Sequence, residues 1–245
     1  MMVSSKLPRV APFALVALVG ALVLSAPAVA DVTGVAFTIA ASSVLGSGAY
    51  DVPASELTYD PLTGRYFWHL PLAVTIENDL GEPIATLTSA NAVYFGDPVV
   101  ALGFAVTAGA ADTSFTIGSG LLSFAPLSPA QATASVGLTL TDSLGDGAWL
   151  AAPVPGGAVY HTLYNSGTPF ADLFTAGLAV TGGSAAGNDA APLQAITSPA
   201  FNMQANYGFV VSANDLASGT GNFLIIPEPG SLLTLLGVLL LARRR

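Results

Sequence analysis

The sequence predicts an all-β protein: a two-sheet β-sandwich of jelly-roll or immunoglobulin-like type, with a short hydrophobic helix at each terminus. Three observations carry this. Between the two apolar ends, apolar and polar residues alternate with a period of two over many short runs. Clusters of Gly, Asn, Asp and Pro separate those runs. No stretch of the middle holds a sustained helical apolar stripe. At 245 residues the chain suits one sandwich domain of about 200 residues between two terminal segments.

The first segment, residues 1–30, reads as a secretory signal peptide. Lys6 and Arg9 are its positive region, residues 11–25 its apolar region, and Ala28-Val29-Ala30 its small-x-small cleavage site. The apolar run is shorter than the roughly 20 residues a membrane span needs, so the Sec machinery and signal peptidase are expected partners and Asp31 the mature start.

Residues 31–225 form the expected sandwich. The clearest strand is 65–77, with Tyr66, Trp68, Leu70, Leu72, Val74 and Ile76 on one face and Pro71 marking an edge or bulge. A second is 135–141, with Val136, Leu138 and Leu140 inward. Further strands are expected at 35–39, 99–107, 113–117, 121–124, 159–164, 177–181, 208–212 and 222–226. Residues 181–192, rich in Gly and Ala, read as a mobile loop. A Gly-apolar-x-apolar-Thr/Ser pattern recurs at Gly34, Gly103, Gly137, Gly177 and Gly208. Its spacing is too irregular for a solenoid, and it reads as a strand-entry habit.

Charge excludes some partners. From residue 31 to 215 there are fourteen acids against Arg65 alone. A surface so acidic repels phosphate backbones, which removes nucleic acid. With no cysteine, disulfides and thiolate metal sites are ruled out and stability must come from the core.

Catalytic patterns are thin, and no enzyme is expected. His69 and His161 are the only histidines, and no nucleophile elbow, zinc helix, phosphate loop or dinucleotide fingerprint occurs. The acids follow strand ends, where turns ask for Asp, and do not pair as a glycosidase would need. The candidate metal residues are Asp142 and Asp146. With Gly147 they match positions 1, 5 and 6 of a calcium loop, but Leu144 stands at position 3 and Pro153 at position 12. A hairpin turn and a calcium (Ca2+) loop both fit this segment. A carbohydrate-binding surface would draw on Tyr66, Phe67, Trp68 and Trp149, which also suit a core.

The last segment, residues 226–245, has its own order. Pro227-Glu228-Pro229 precedes twelve mostly apolar residues, 231–242, and then Arg243-Arg244-Arg245. A twelve-residue helix is about 18 Å long against a hydrocarbon core of about 30 Å. The arginines would hold its end on the cytoplasmic side, and the prolines keep Glu228 extended.

This tail resembles the PEP-CTERM sorting signal. The resemblance covers about 20 residues and rests on the motif, the short helix and the Arg cluster in that order. It implies recognition of Pro227, Glu228 and Pro229 by an exosortase, a membrane protease or transpeptidase, after transient anchoring in the inner membrane. It also implies a non-enzymatic protein released or transferred to the cell surface, in a family associated with exopolysaccharide and biofilm matrix. The alternatives for the core are a carbohydrate-binding module, a calcium-stabilised adhesin and a secreted hydrolase.

Overall fold

The computed structural model describes residues 30–197 and 199–228. The two expected terminal helices, most of the expected signal peptide and the Arg cluster fall outside the described residues. Along the chain run β1 (Asp31–Ser43), β2 (Gly46–Pro53), β3 (Thr58–Asp60), β4 (Arg65–His69), β5 (Val74–Glu77), β6 (Pro83–Phe95), β7 (Val99–Ala108) and β8 (Thr113–Leu127). They are followed by β9 (Ala130–Asp142), β10 (Ala148–Ala151), β11 (Tyr160–Tyr164), β12 (Thr168–Leu173), β13 (Leu178–Val180), β14 (Gly183–Ile196), β15 (Ala200–Val211) and β16 (Leu216–Pro227). Among the described residues a single 3-10 turn, Ala54–Glu56, is the only helical element, and no helix there is long and apolar enough to cross a membrane.

The strands make two antiparallel sheets packed as a sandwich. Sheet I has the order β12-β11-β15-β8-β1-β2, with β10 beside β15 and β13 beside β10. Sheet II has the order β14-β9-β16-β7-β6-β4-β3, with β5 beside β6. One antiparallel ribbon joins them. Its first side is β7-β8-β9 and its second β16-β15-β14, with Thr107 opposite Leu216, Thr113 opposite Val211, Leu127 opposite Ala200 and Ala130 opposite Ile196. The ribbon therefore passes from sheet II into sheet I and back again, and β9 then also pairs with β16.

The period-two alternation of β9 becomes burial: Ala130, Ala132, Ala134, Val136, Leu138 and Leu140 all face the core. Between the sheets Phe115 stacks on Phe209 at 5.4 Å, Phe209 on Phe104 at 5.3 Å, and Phe104 meets the edge of Tyr207 at 4.9 Å. Each such ring contributes about 1.5–3 kcal/mol by burial. Tyr94, fully buried on β6, donates its hydroxyl to Ala36 O and accepts from Gly120 N, latching sheet II to β1 and β8 of sheet I.

Four expectations change. Residues 65–77 are two strands, β4 and β5, because the chain breaks around Pro71; both halves pair with β6, and Leu72 is exposed. Segment 181–192 is not a loop but most of β14, paired with β9 from Gly183 to Ile196. Runs 113–117 and 121–124 fuse into β8. Gly103, Gly137 and Gly208 stand within strands, so the recurrent glycine does not mark strand entry.

Tyr160 and Tyr207 lie with ring centroids 4.7 Å apart, and neither hydroxyl has a hydrogen-bond partner among the described residues. Burial pushes both phenols well above their ordinary pKa, and for Tyr207 the neighbouring Tyr160 adds to this. Both press on Gly221, where a Cβ would meet the Tyr207 hydroxyl and sit 2.6 Å from the Tyr160 ring. Gly221→Ala is expected to cost about 1–3 kcal/mol by overpacking, read as a lower urea midpoint. Tyr207→Phe, which deletes an unsatisfied hydroxyl, should leave that midpoint unchanged or raised.

Candidate functional site

The residues expected to carry the sorting signal begin at the end of a central strand. Pro227 closes β16 opposite Ala130, a place where a missing N–H is tolerated. The Glu228 N–H donates to Pro129 O at 3.0 Å. Pro229 and Arg243, Arg244 and Arg245 lie outside the described residues, as does Ala28 of the cleavage site, whereas Ala30 is buried at the start of β1. Asp31 pairs with Ser123, four residues before the end of β8, or roughly 13 Å along the strand. Leu127, at that end, adjoins the corner into β9 where Pro227 finishes. Both ends of the described chain thus leave at one pole. A cleft of about 280 Å³, lined by Pro98, Phe124, Leu127, Ile226 and Pro227 among others, flanks the exit.

At the opposite pole the β9–β10 connection gathers carboxylates. Asp142 accepts from Gly145 N at 2.7 Å with Oδ1, and from Gly147 N at 2.9 Å and Gly182 N at 2.8 Å with Oδ2. Asp215 accepts from Ser143 N at 3.1 Å and from Ser212 Oγ at 2.5 Å. One carboxylate oxygen each from Asp142, Asp146 and Asp215 lies within 4.8 Å of the others. Local spacing sets Asp142 and Asp146 together, whereas Asp215 arrives only through the register of β16 with β9. Desolvation alone would raise the pKa of Asp142, but the backbone N–H groups of Gly145, Gly147, Gly182 and Leu144 outweigh it and hold the carboxyl below the ordinary range. These contacts are those of a turn whose acceptor is Asp142; Leu144 is exposed and supplies no ligand.

The aromatic residues do not form one platform. Trp68 is buried and stacks on Phe37 at 5.4 Å, because it lies on the inward face of β4. Tyr66 tilts against Tyr59 at 4.8 Å. Phe67 points to the other face, under the Arg65 guanidinium at 5.1 Å. Trp149, 39% exposed, belongs to β10 of the other sheet. His69 is exposed on β4. His161 Nδ1 meets Asp172 Oδ1 at 2.7 Å across the β11–β12 hairpin. No hydroxyl among the described residues bonds to its other nitrogen.

No family model and no curated protein matches the chain. Among solved structures, TmCBM61 in complex with beta-1,4-galactotriose is 11% identical with a TM-score of 0.28, covering 53% of this chain and 71% of that one. The enzymatically active domain of bacteriophage CBA120 tailspike protein 4 is 10% identical with a TM-score of 0.24, covering 70% of this chain and 19% of that one. A structure of carbohydrate-binding modules from the beta-sandwich super family is 11% identical with a TM-score of 0.20, covering 79% and 85%. Likeness at these scores carries no argument about function, and the sandwich is read from its own pairing.

Because the Asp142 carboxyl is held below its unfolded value, its stabilisation is full above about pH 4 and is lost as pH falls through the folded pKa. Asp142→Ala should therefore lower the denaturation midpoint at neutral pH, with the difference from wild type shrinking in acid. Melting with added calcium and then EDTA separates turn from cation site: the turn contacts predict a flat melting temperature, and a calcium-dependent rise would assign the cluster to an ion.

Proposed function

We propose that this chain is an exported, non-enzymatic surface or extracellular matrix-associated protein, sorted through its C-terminal tail as the PEP-CTERM resemblance implies. Sec and signal peptidase bring it across the inner membrane. The tail holds it there transiently, and an exosortase-like protease or transpeptidase then cuts near Pro227, Glu228 and Pro229. The observation that carries this reading is the ordered triplet of motif, short apolar segment and Arg cluster behind a signal peptide. The fold is compatible with it, since Pro227 is the last paired residue of β16. A cut beyond Glu228 leaves every pair of that central strand intact, whereas a cut before Ile226 would remove two. The ribbon that changes sheet twice favours the jelly-roll type over the immunoglobulin-like one.

Intact mass of the protein recovered from outside its host tests the sorting. The expected product begins at Asp31 and ends just beyond Pro227, while a variant with Pro227→Ala, Glu228→Ala and Pro229→Ala stays membrane-bound with its C-terminus whole. A wild-type product that retains Arg245 would make the tail a permanent anchor.

A further inference from the structure

On the outward face of sheet II the centre of the sheet is almost bare. Thr220 on β16 stands between Gly137 of β9 and Gly103 of β7, and Asn91 of β6 follows Gly103 in register. In the adjoining row Ser218 faces Thr139. Asn91 Oδ1 occupies the space a Cβ on Gly103 would need, so the amide leans across β7 toward Thr220. On the other side Thr220 Oγ1 lies 3.7 Å from where a Gly137 Cβ would be. The result is an open trough of about 440 Å³ whose lining comes from five strands, β14, β9, β16, β7 and β6, with a glycine floor and hydroxyl and amide walls.

Two observations characterise this trough. Of the outward hydroxyls beyond it, Thr141 bonds to Ser184, Thr133 donates to Ala191 O and Thr88 donates to Ala105 O, whereas Ser135 and Thr107 make no side-chain hydrogen bond among the described residues. The side chains of Asn91, Thr139, Ser218 and Thr220 make no hydrogen bond among the described residues, so their donors and acceptors are left for a ligand. The lining also contains no charged side chain, in a domain whose surface is otherwise strongly acidic.

We infer that the trough binds an uncharged linear polysaccharide lying across β9, β16, β7 and β6. A polyol chain both donates and accepts along its length, which matches the Ser218 and Thr139 hydroxyls on neighbouring strands about 4.8 Å apart and the Thr220 hydroxyl and Asn91 amide on strands two apart. Anionic polymers find no cation here and meet an acidic surround. The glycines let the chain approach the backbone closely. This site is independent of how the protein is sorted, and it does not use the aromatic residues singled out in the sequence.

Affinity electrophoresis of the full chain tests it, in gels cast with uncharged β-glucan, xylan or galactan and, separately, with polyuronate. Retardation is expected with at least one uncharged polymer and not with polyuronate. Thr220→Val, which keeps shape and strand preference, and Asn91→Ala should each weaken the retarding affinity about tenfold, the equivalent of one hydrogen bond in the site. Thr116→Val on the outer face of sheet I should leave it unchanged, and urea midpoints of all three report that they fold. The assignment is overturned by no retardation in any uncharged polymer, by equal retardation in polyuronate, or by retardation undiminished in both trough variants.

Discussion

The register of one long antiparallel pairing, residues 99–142 against 183–227, decides nearly everything else in this molecule. It sets Phe209 opposite Phe115 and so starts the aromatic column of the core. It brings Asp215 beside Asp142, and it puts Thr220 between two glycines. A slip of one residue would turn each of these side chains to the other face. Most of these contacts are distant in sequence, so closing the ribbon carries a loop-closure entropy that burial of the shared core must offset. Tyr94 reinforces that closure from outside the ribbon, since its single hydroxyl satisfies backbone groups on both β1 and β8.

Where one face of a strand is buried and the register is unbroken, the sequence announces the strand. Residues 99–107 and 135–141 read correctly for that reason. β6 was silent because a bulge between Leu87 and Ser89 moves the inward positions from Ala85 and Leu87 to Ala90, Ala92 and Tyr94, which cancels the alternation. β14 was mistaken for a loop because it is an edge strand with nearly every side chain exposed. It has no apolar face to display, and its bulge absorbs Pro192 and Leu193. Its strand character comes from β9, which offers a full row of backbone groups that need partners.

The same distinction divides the candidate sites. Pro227-Glu228-Pro229 and its following segment are contiguous, so the proposed sorting motif rests on the sequence and needs no fold to be read. Asp142 and Asp146 are legible as a turn for the same reason. The trough is not, because Asn91, Thr139, Ser218 and Thr220 are each unremarkable in place and come together only across four strands. The only hint was the recurrent glycine pattern, whose members Gly103 and Gly137 turn out to flank Thr220 rather than to open strands.

Placement ties the sorting reading to the trough. Strand β16 carries both, with Thr220 seven residues before Pro227, or roughly 23 Å along the strand. A protein tethered beyond Pro227 is held at the pole where Asp31 also leaves, by the end of a strand and not by its face. The outward face of sheet II then stands clear of the anchoring surface. The carboxylates of Asp142, Asp146 and Asp215 gather at the far pole, away from it. A tail that fixes one pole and a neutral trough on the flank are therefore mutually compatible, because neither occupies the surface the other needs.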